Sequence, residues 1–442
     1  MKRLWLILLS LGLITAFSTS ALAVDVKFSG EYYVAGLYLD KTNLRKDSGS
    51  DGISTAFYYQ RLRVRTDFVI SPGLTLITRF DAMERAWGAT RSVPDTTQAT
   101  NSPDTYAEKE NIAFEWAYIE YASPIGIFRV GLMEDGRTGT VFGDSYSTLG
   151  RIKYALPICP FFSLNFDITK GKDTSYTAKN TAATWTDADQ DKYGLEGVYQ
   201  WNAGKAGMKV TYYRYADTEP AFNYKKTYFL FTPYAIAKIG PLDIQAELNY
   251  ATGKLKQFDN ASAGSDVTLS NIAGWIDATA TFGPVYFGGS FAYASGDDPT
   301  TSDKQEGGTL NGGMDWNPCL IMFNFYDRTY WVGSLDGNGT STNSGPMSNA
   351  WFVQGRGGVR PTADLDIMAS ISYATADQKP TGFNSGVYGT EIDITGTYKI
   401  TNNLSYMLGV GYWFVGDYFK GNLPNSTTRD DYMVINKLTL KF

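Results

Sequence analysis

From Tyr58 to Phe68 the chain alternates one for one between two kinds of residue. Leu62, Val64, Thr66 and Phe68 share one parity; Arg61, Arg63, Arg65 and Asp67 share the other. Period two marks a strand whose side chains point to opposite faces. Burying an unpaired charge costs several kcal/mol, and adjacent like charges add repulsion. The arginine face must therefore meet water. The other face suits lipid, so the pattern predicts a transmembrane strand with a wet lumen behind it.

The same rhythm recurs. Leu242 to Tyr250 places every apolar residue on one parity, and Leu365 to Tyr373 repeats it with Met368 as the exception. Val285–Tyr293 and Leu404–Tyr412 carry the apolar row with small residues on much of the other face. In all four, the first outward apolar residue and the outward tyrosine stand eight positions apart. At roughly 3.3 Å per residue and a tilt near 40°, that is about 20 Å of membrane height, which makes Tyr250, Tyr293, Tyr373 and Tyr412 an aromatic girdle. A soluble β-sandwich or solenoid with tyrosines on one face is the alternative.

Glycine, proline or an Asn pair marks short turns at 71–73, 123–126, 157–160, 202–207, 239–241, 282–284, 360–364 and 400–403. Long polar loops alternate with them at 41–55, 88–110, 134–149, 171–190, 217–224, 254–268, 296–349, 377–386 and 416–429. Eight turns and nine loops imply eighteen antiparallel strands with both termini on the short-turn side. One misread hairpin would make it sixteen. The fold class is all-β, a transmembrane antiparallel barrel over 24–442, with 296–349 as a long extracellular loop. Asn317–Phe323 also looks like a strand, but alone it would make the number odd. It is expected over the barrel rim or between subunits, an extra hairpin being the alternative.

Composition adds direction to this picture. Lys2-Arg3, an apolar run from Leu4 to Phe17 and Ala21-Leu22-Ala23 predict a secretory signal peptide over 1–23. Without Lys2 and Arg3, the 39 Lys and Arg fall to 37 against 45 Asp and Glu, a poor balance for nucleic acid. After residue 23 no apolar run approaches the roughly 18 residues of a membrane helix. Cys159 and Cys319 fall at a turn and in a loop on opposite rims, too far apart for a disulfide. The absence of histidine removes Ser-His and Asp-His catalysis and c-type haem ligation, so neither an enzyme nor a cofactor is expected.

The last strand sets Tyr432, Val434, Leu438, Leu440 and the terminal Phe442 on one parity, interrupted by Asn436. With the signal peptide and the hairpin rhythm, the mature chain resembles the bacterial outer-membrane porins over its full length. That resemblance implies a homotrimer in the outer membrane, among lipid and lipopolysaccharide. It also implies that Phe442 is the signal read by the outer-membrane assembly machinery.

In porins the third extracellular loop folds inward and narrows the pore, and 134–149 is its counterpart. It lacks the family's Pro-Glu-Phe-Gly-Gly-type tip. Its acids Glu134, Asp135 and Asp144 are expected to face a basic row of Arg61, Arg63, Arg65, Arg79, Arg129, Arg151 and Lys153, forming a transverse field. The alternative is that the arginines only pair with acids along the wall. Asp187, Asp189 and Asp191 have the D-x-D-x-D spacing of a calcium loop, but Lys192 stands where the glycine belongs and Glu196 comes two residues early. A solvated loop is the better reading there. Three functions remain: passive diffusion of small hydrophilic solutes, a channel selective for oxyanions or oligosaccharides, and a sheath for an electron-transfer partner or an adhesin.

Overall fold

The computed structural model describes residues 24–46, 53–88, 112–173, 188–308, 313–335, 346–423 and 426–442. The expected signal peptide, 1–23, lies outside them. The first nine barrel strands are β1 (Asp25–Leu39), β2 (Thr55–Ser71), β3 (Leu74–Ala86), β4 (Ala113–Ser123), β5 (Gly126–Asp135), β6 (Ser147–Cys159), β7 (Phe162–Lys172), β8 (Gln190–Trp201) and β9 (Gly204–Tyr215). The second nine are β10 (Tyr224–Ile239), β11 (Leu242–Phe258), β12 (Val267–Phe282), β13 (Val285–Ala294), β14 (Ala350–Thr362), β15 (Leu365–Thr375), β16 (Val387–Lys399), β17 (Leu404–Val415) and β18 (Asp431–Lys441). Each pairs antiparallel with the next, so the count is eighteen and not sixteen. Every short turn and long loop of the sequence pattern separates the strands it was expected to separate.

The ring closes where β1 meets β18, from Glu31 opposite Lys441 to Leu39 opposite Met433. The terminal Phe442 finishes the seam: its N–H donates to the Gly30 carbonyl at 3.1 Å and its carbonyl accepts the Gly30 N–H at 2.8 Å. A Cβ on Gly30 would lie 2.7 Å from the Phe442 ring, so the seam needs glycine there. Closure removes the edges that would otherwise leave unpaired backbone groups in lipid. The outward parity carries Leu248, Ile276, Phe287, Phe291, Ile371 and Val410, all exposed. Tyr250, Tyr373 and Tyr412 share that face at 36–40% exposure, and Tyr293 lies on it against the exposed Trp351 with ring centroids 4.2 Å apart.

Bulges alter the parity at two places beside the arginines, one in β3 and one at Glu115 of β4. Between Gln60 and Leu62 of β2, two residues of β3, Met83 and Glu84, stand opposite one. Met83 takes a left-handed φ of 54°, points outward, and turns Glu84 into the lumen, where it meets Arg61.

The apolar core lies inside the barrel. Residues 313–335, part of the loop expected to be extracellular, enter the lumen and bury Trp316, Cys319, Leu320, Ile321, Met322, Phe323 and Trp331. They rest on Leu37 and Leu39 of β1, Tyr59 of β2, Phe352 of β14 and Ile435 of β18. Asn317–Phe323 is therefore neither a strand nor a cover over the rim. Its backbone is irregular, and its apolar residues pack on the inner wall. The physical reason is the wall itself: leucines at inner positions of β1 would face water unless something covered them. Burying side chains of this size stabilises by about 1.5–3 kcal/mol each. Gly409 and Gly411 of β17 leave the room, since a Cβ on either would come within 3.1 Å of Leu320. Cys319 thus sits in the lumen and not at a rim, and it and the exposed Cys159 are free thiols.

Candidate functional site

All seven residues of the expected basic row lie on inner positions of β2, β3, β5 and β6, and six of them hold wall carboxylates. Arg63 makes a bidentate pair with Asp81 of β3 at 2.7 and 2.6 Å and reaches Glu115 of β4 at 3.2 Å. Arg79 shares Glu115 at 2.6 Å and stacks over Trp116, 3.7 Å from the ring centroid. Arg65 pairs with Asp67 of its own strand at 2.7 Å, and Arg129 with Glu120 at 2.6 Å. Arg151 holds Asp167 at 2.7 Å. Arg61 is held more loosely, 3.7 Å from both Glu31 and Glu84, with its guanidinium 5.0 Å from the Tyr33 ring. Lys153 lines a cavity with Arg65, Arg129 and Arg151.

The three acids expected opposite this row are placed differently. Glu134 and Asp135 end β5 and belong to the wall. Glu134 pairs with Arg137 at 2.5 Å, and Asp135 pairs with Lys192 and with Arg151 at 3.4 Å. Only Asp144 is in the loop proper, and its carboxylate accepts the Thr138 N–H at 2.6 Å. Its surroundings are acidic. Burial pushes it up to about 8 against the pull of that N–H, and Glu247 and Asp315 add repulsion. No arginine of the row touches it among the described contacts. The acids that do meet the row are Glu31, Asp67, Asp81, Glu84, Glu115, Glu120, Asp135 and Asp167, all on barrel strands, and of the three expected acids only Asp135 is among them.

The loop between β5 and β6 is held by Glu247, an inward residue of β11. One Glu247 oxygen accepts the Thr140 N–H at 2.8 Å and hydroxyl at 2.7 Å; the other accepts the Gly143 N–H at 3.1 Å. Phe142 then packs on Trp275 and on Trp316 of the lumenal segment. The two inserted segments touch further where the Asp315 N–H donates to the Asp144 carbonyl at 3.1 Å and Arg137 pairs with the Asp315 carboxylate at 2.5 Å.

Between these segments and the arginine wall, two cavities remain. One, of about 340 Å³, is bordered by Arg61, Arg63, Arg137, Lys437 and by the rings of Tyr33, Tyr146 and Tyr326. Its acids are Asp81, Glu84, Glu115 and Asp327, so four cations face four carboxylates. The second, of about 280 Å³, has Arg65, Arg129, Arg137, Arg151 and Lys153 against Glu120 and Glu134, a clear basic excess. Arg137 borders both. The lining is balanced in the first cavity and positive in the second.

Asp189 and Asp191 both hold the Lys170 ammonium, at 2.7 and 2.8 Å, and Asp187 lies outside the described residues. A lysine in that position already supplies the positive charge a calcium ion would bring.

Reading the sequence missed Arg137, Tyr146, Lys437 and the wall acids. Asp81, Glu120 and Asp167 were legible, on the polar parity of alternating strands; Glu115 was not, since it shares the outward parity of Ile119 and Tyr121 and a bulge opposite Arg79 and Phe80 turns it inward. Lys437 was legible too, on the inward parity of Met433 and Ile435, whereas the lumenal segment was not, because nothing local says which loop enters the barrel.

No family model and no curated protein matches this chain. Solved structures do. Pseudomonas aeruginosa OccK9 (OpdG) matches at TM-score 0.51 and 12% identity over 94% of this chain and 99% of its own. OccK11 (OpdR) of the same organism matches at 0.51 and 13%, over 95% and 96%. Pseudomonas aeruginosa OpdK with vanillate matches at 0.50 and 14%, over 94% and 99%. At such identities the likeness shows the fold: a closed eighteen-strand barrel like those of outer-membrane porins.

Proposed function

We propose that this barrel lets small hydrophilic solutes and ions diffuse passively across the bacterial outer membrane. The observation that carries the reading is the pair of charged cavities running between the arginine wall and the inserted segments, inside a barrel whose outer face is apolar. Water-filled space lined by ion pairs serves solutes that keep part of their hydration shell, and the inserted segments set its width. The lining holds no histidine-based catalytic group, which favours a channel over an enzyme. Phe442, at the closing seam, is where the assembly machinery would engage the last strand. The barrel would work as a homotrimer surrounded by lipid and lipopolysaccharide, as the resemblance to porins implies.

A narrower reading rests on the basic excess of the second cavity: preference for small anions, oxyanions and organic carboxylates included. Vanillate in OpdK is a solute of that class. Arg137, shared by both cavities and flanked by Tyr146, would pass the anion from one to the other.

Single-channel recording in planar bilayers, with swelling of liposomes in neutral sugars and in carboxylate salts, tests both. Conductance with similar swelling in sugars and carboxylates of equal size supports the general pore. Faster entry of carboxylates supports the narrower reading, and no conductance at all would refute the channel.

A further inference from the structure

Two carboxylates and a thiol meet in the dry interior where the lumenal segment lies on β16. Ligand atoms of Cys319, Glu391 and Asp393 all fall within 4.8 Å of one another, and all three residues are buried, at 3%, 0% and 3% exposure. Glu391 uses one lone pair of each oxygen to accept the Ile321 and Met322 N–H groups, at 2.6 and 2.7 Å. A second lone pair on each oxygen stays available. Asp393 Oδ2 meets the Ser370 hydroxyl at 3.5 Å, the Leu320 N–H and the Glu391 carboxyl also approach this carboxylate, and Oδ1, fully enclosed, makes no hydrogen bond of good geometry. That oxygen lies over Gly411 of β17: a Cβ there would come 2.6 Å from it and 3.3 Å from Glu391 Oε1. Glycine thus leaves both carboxylate oxygens uncrowded beside Leu320, which packs over the same position, 3.1 Å from where that Cβ would lie.

Charge makes the arrangement costly as it stands. Arg328 is the buried cation within range of Glu391, and it also faces Asp431, while its Nε and one terminal nitrogen are turned to the Ile321 and Gly333 carbonyls. One guanidinium against that many carboxylates leaves Asp393 unmatched, and an enclosed carboxylate oxygen without a well-made hydrogen bond is what a cation would satisfy. We propose that Cys319, Glu391 and Asp393 form a binding site for a thiophilic divalent cation of the zinc class, which fastens the lumenal segment to the barrel wall. A thiolate among the donors favours zinc over calcium or magnesium, and three protein ligands leave a fourth position for water or the Ser372 hydroxyl. Zinc bonds of about 2.0–2.3 Å put tetrahedral ligands near 3.5 Å apart, so donors within 4.8 Å of one another need to close by at most about an ångström. Binding releases the thiol proton, and any proton held between the carboxylates, to solvent.

The test uses the full-length barrel purified without chelator, stripped, then refolded with zinc or cobalt. Metal analysis should find about one ion per chain in the wild type and a loss of most of it in Cys319→Ser and in Asp393→Asn. Cobalt should give a thiolate charge-transfer band absent from Cys319→Ser. Heat-modifiable migration on gels reports whether each variant is a folded barrel, so lost binding in a folded variant counts for the site. A folded wild type that takes up no more zinc or cobalt than folded Cys319→Ser would overturn the proposal. The cluster would then be a pair of acids sharing a proton.

Discussion

Replacing Arg61, Arg63 and Arg65 together by Ser should shift the reversal potential toward cations. Their acids stay behind, so each substitution changes the net charge of the lining by one, however tightly the arginine was paired. A unit charge about 7 Å from an ion's path in a water-filled lumen contributes about 0.6 kcal/mol, roughly halved by screening at 0.1 M salt. Three such charges amount to about 0.9 kcal/mol, or about fivefold in the concentration of a monovalent ion along the path. In about 1 M salt the Debye length drops to about 3 Å and the shift should nearly vanish. The assay is the zero-current potential across a planar bilayer under a salt gradient, in dilute and in concentrated salt. A matched control removes the pair: Arg63→Ser with Asp81→Ser keeps the net charge and should leave the potential near wild type. Losing Arg63 alone strands Asp81, which is only 5% exposed, so that variant should also be less stable. An unchanged reversal potential for the triple variant in dilute salt would place the arginines outside the conducting path, and the row would be wall chemistry.

Glu247→Ala should release the loop 136–146 from β11 and raise single-channel conductance, with noisier openings; a trace indistinguishable from wild type would show that the loop is held elsewhere. Asp144 has its pKa raised to about 8 in the folded protein from 3.8, so its contribution to stability is full below pH 4, declines as pH rises and is gone above pH 8. Thermal unfolding in detergent should show that decline in the wild type and lose that part of it in Asp144→Asn. Deleting Phe442 removes two backbone hydrogen bonds and the ring over Gly30, and should slow membrane insertion so that unassembled protein accumulates in the periplasm. Mild cross-linking of the protein in membranes should give a ladder ending at three copies; one ending at the monomer would refute the trimer.

The sequence by itself determined the barrel. Turn positions, outward tyrosines and the inner parity of Arg61, Arg63 and Arg65 all follow from local facts, as does the preference for eighteen strands that closure of the barrel then settled over sixteen. Period two assigns each side chain to a face, and Gly, Pro or Asn ends each run. Tertiary structure decided which charges meet. Asp144 was expected to oppose the arginines, yet the loop's backbone amides found Glu247 across the lumen and carried it away from them. Glu84 faces Arg61 because a bulge at Met83 reversed the alternation, and Glu115 reaches Arg63 and Arg79 because a bulge in β4 did the same. The segment 313–335 reads as one more polar loop with an apolar stretch. It enters the barrel because Leu37, Leu39, Phe352 and Ile435, far apart in the chain, converge on one dry patch of the inner wall. Alternation is a property of neighbours and can be read along the chain. Closure brings residues hundreds of positions apart into contact, and only the closed barrel shows which of them touch.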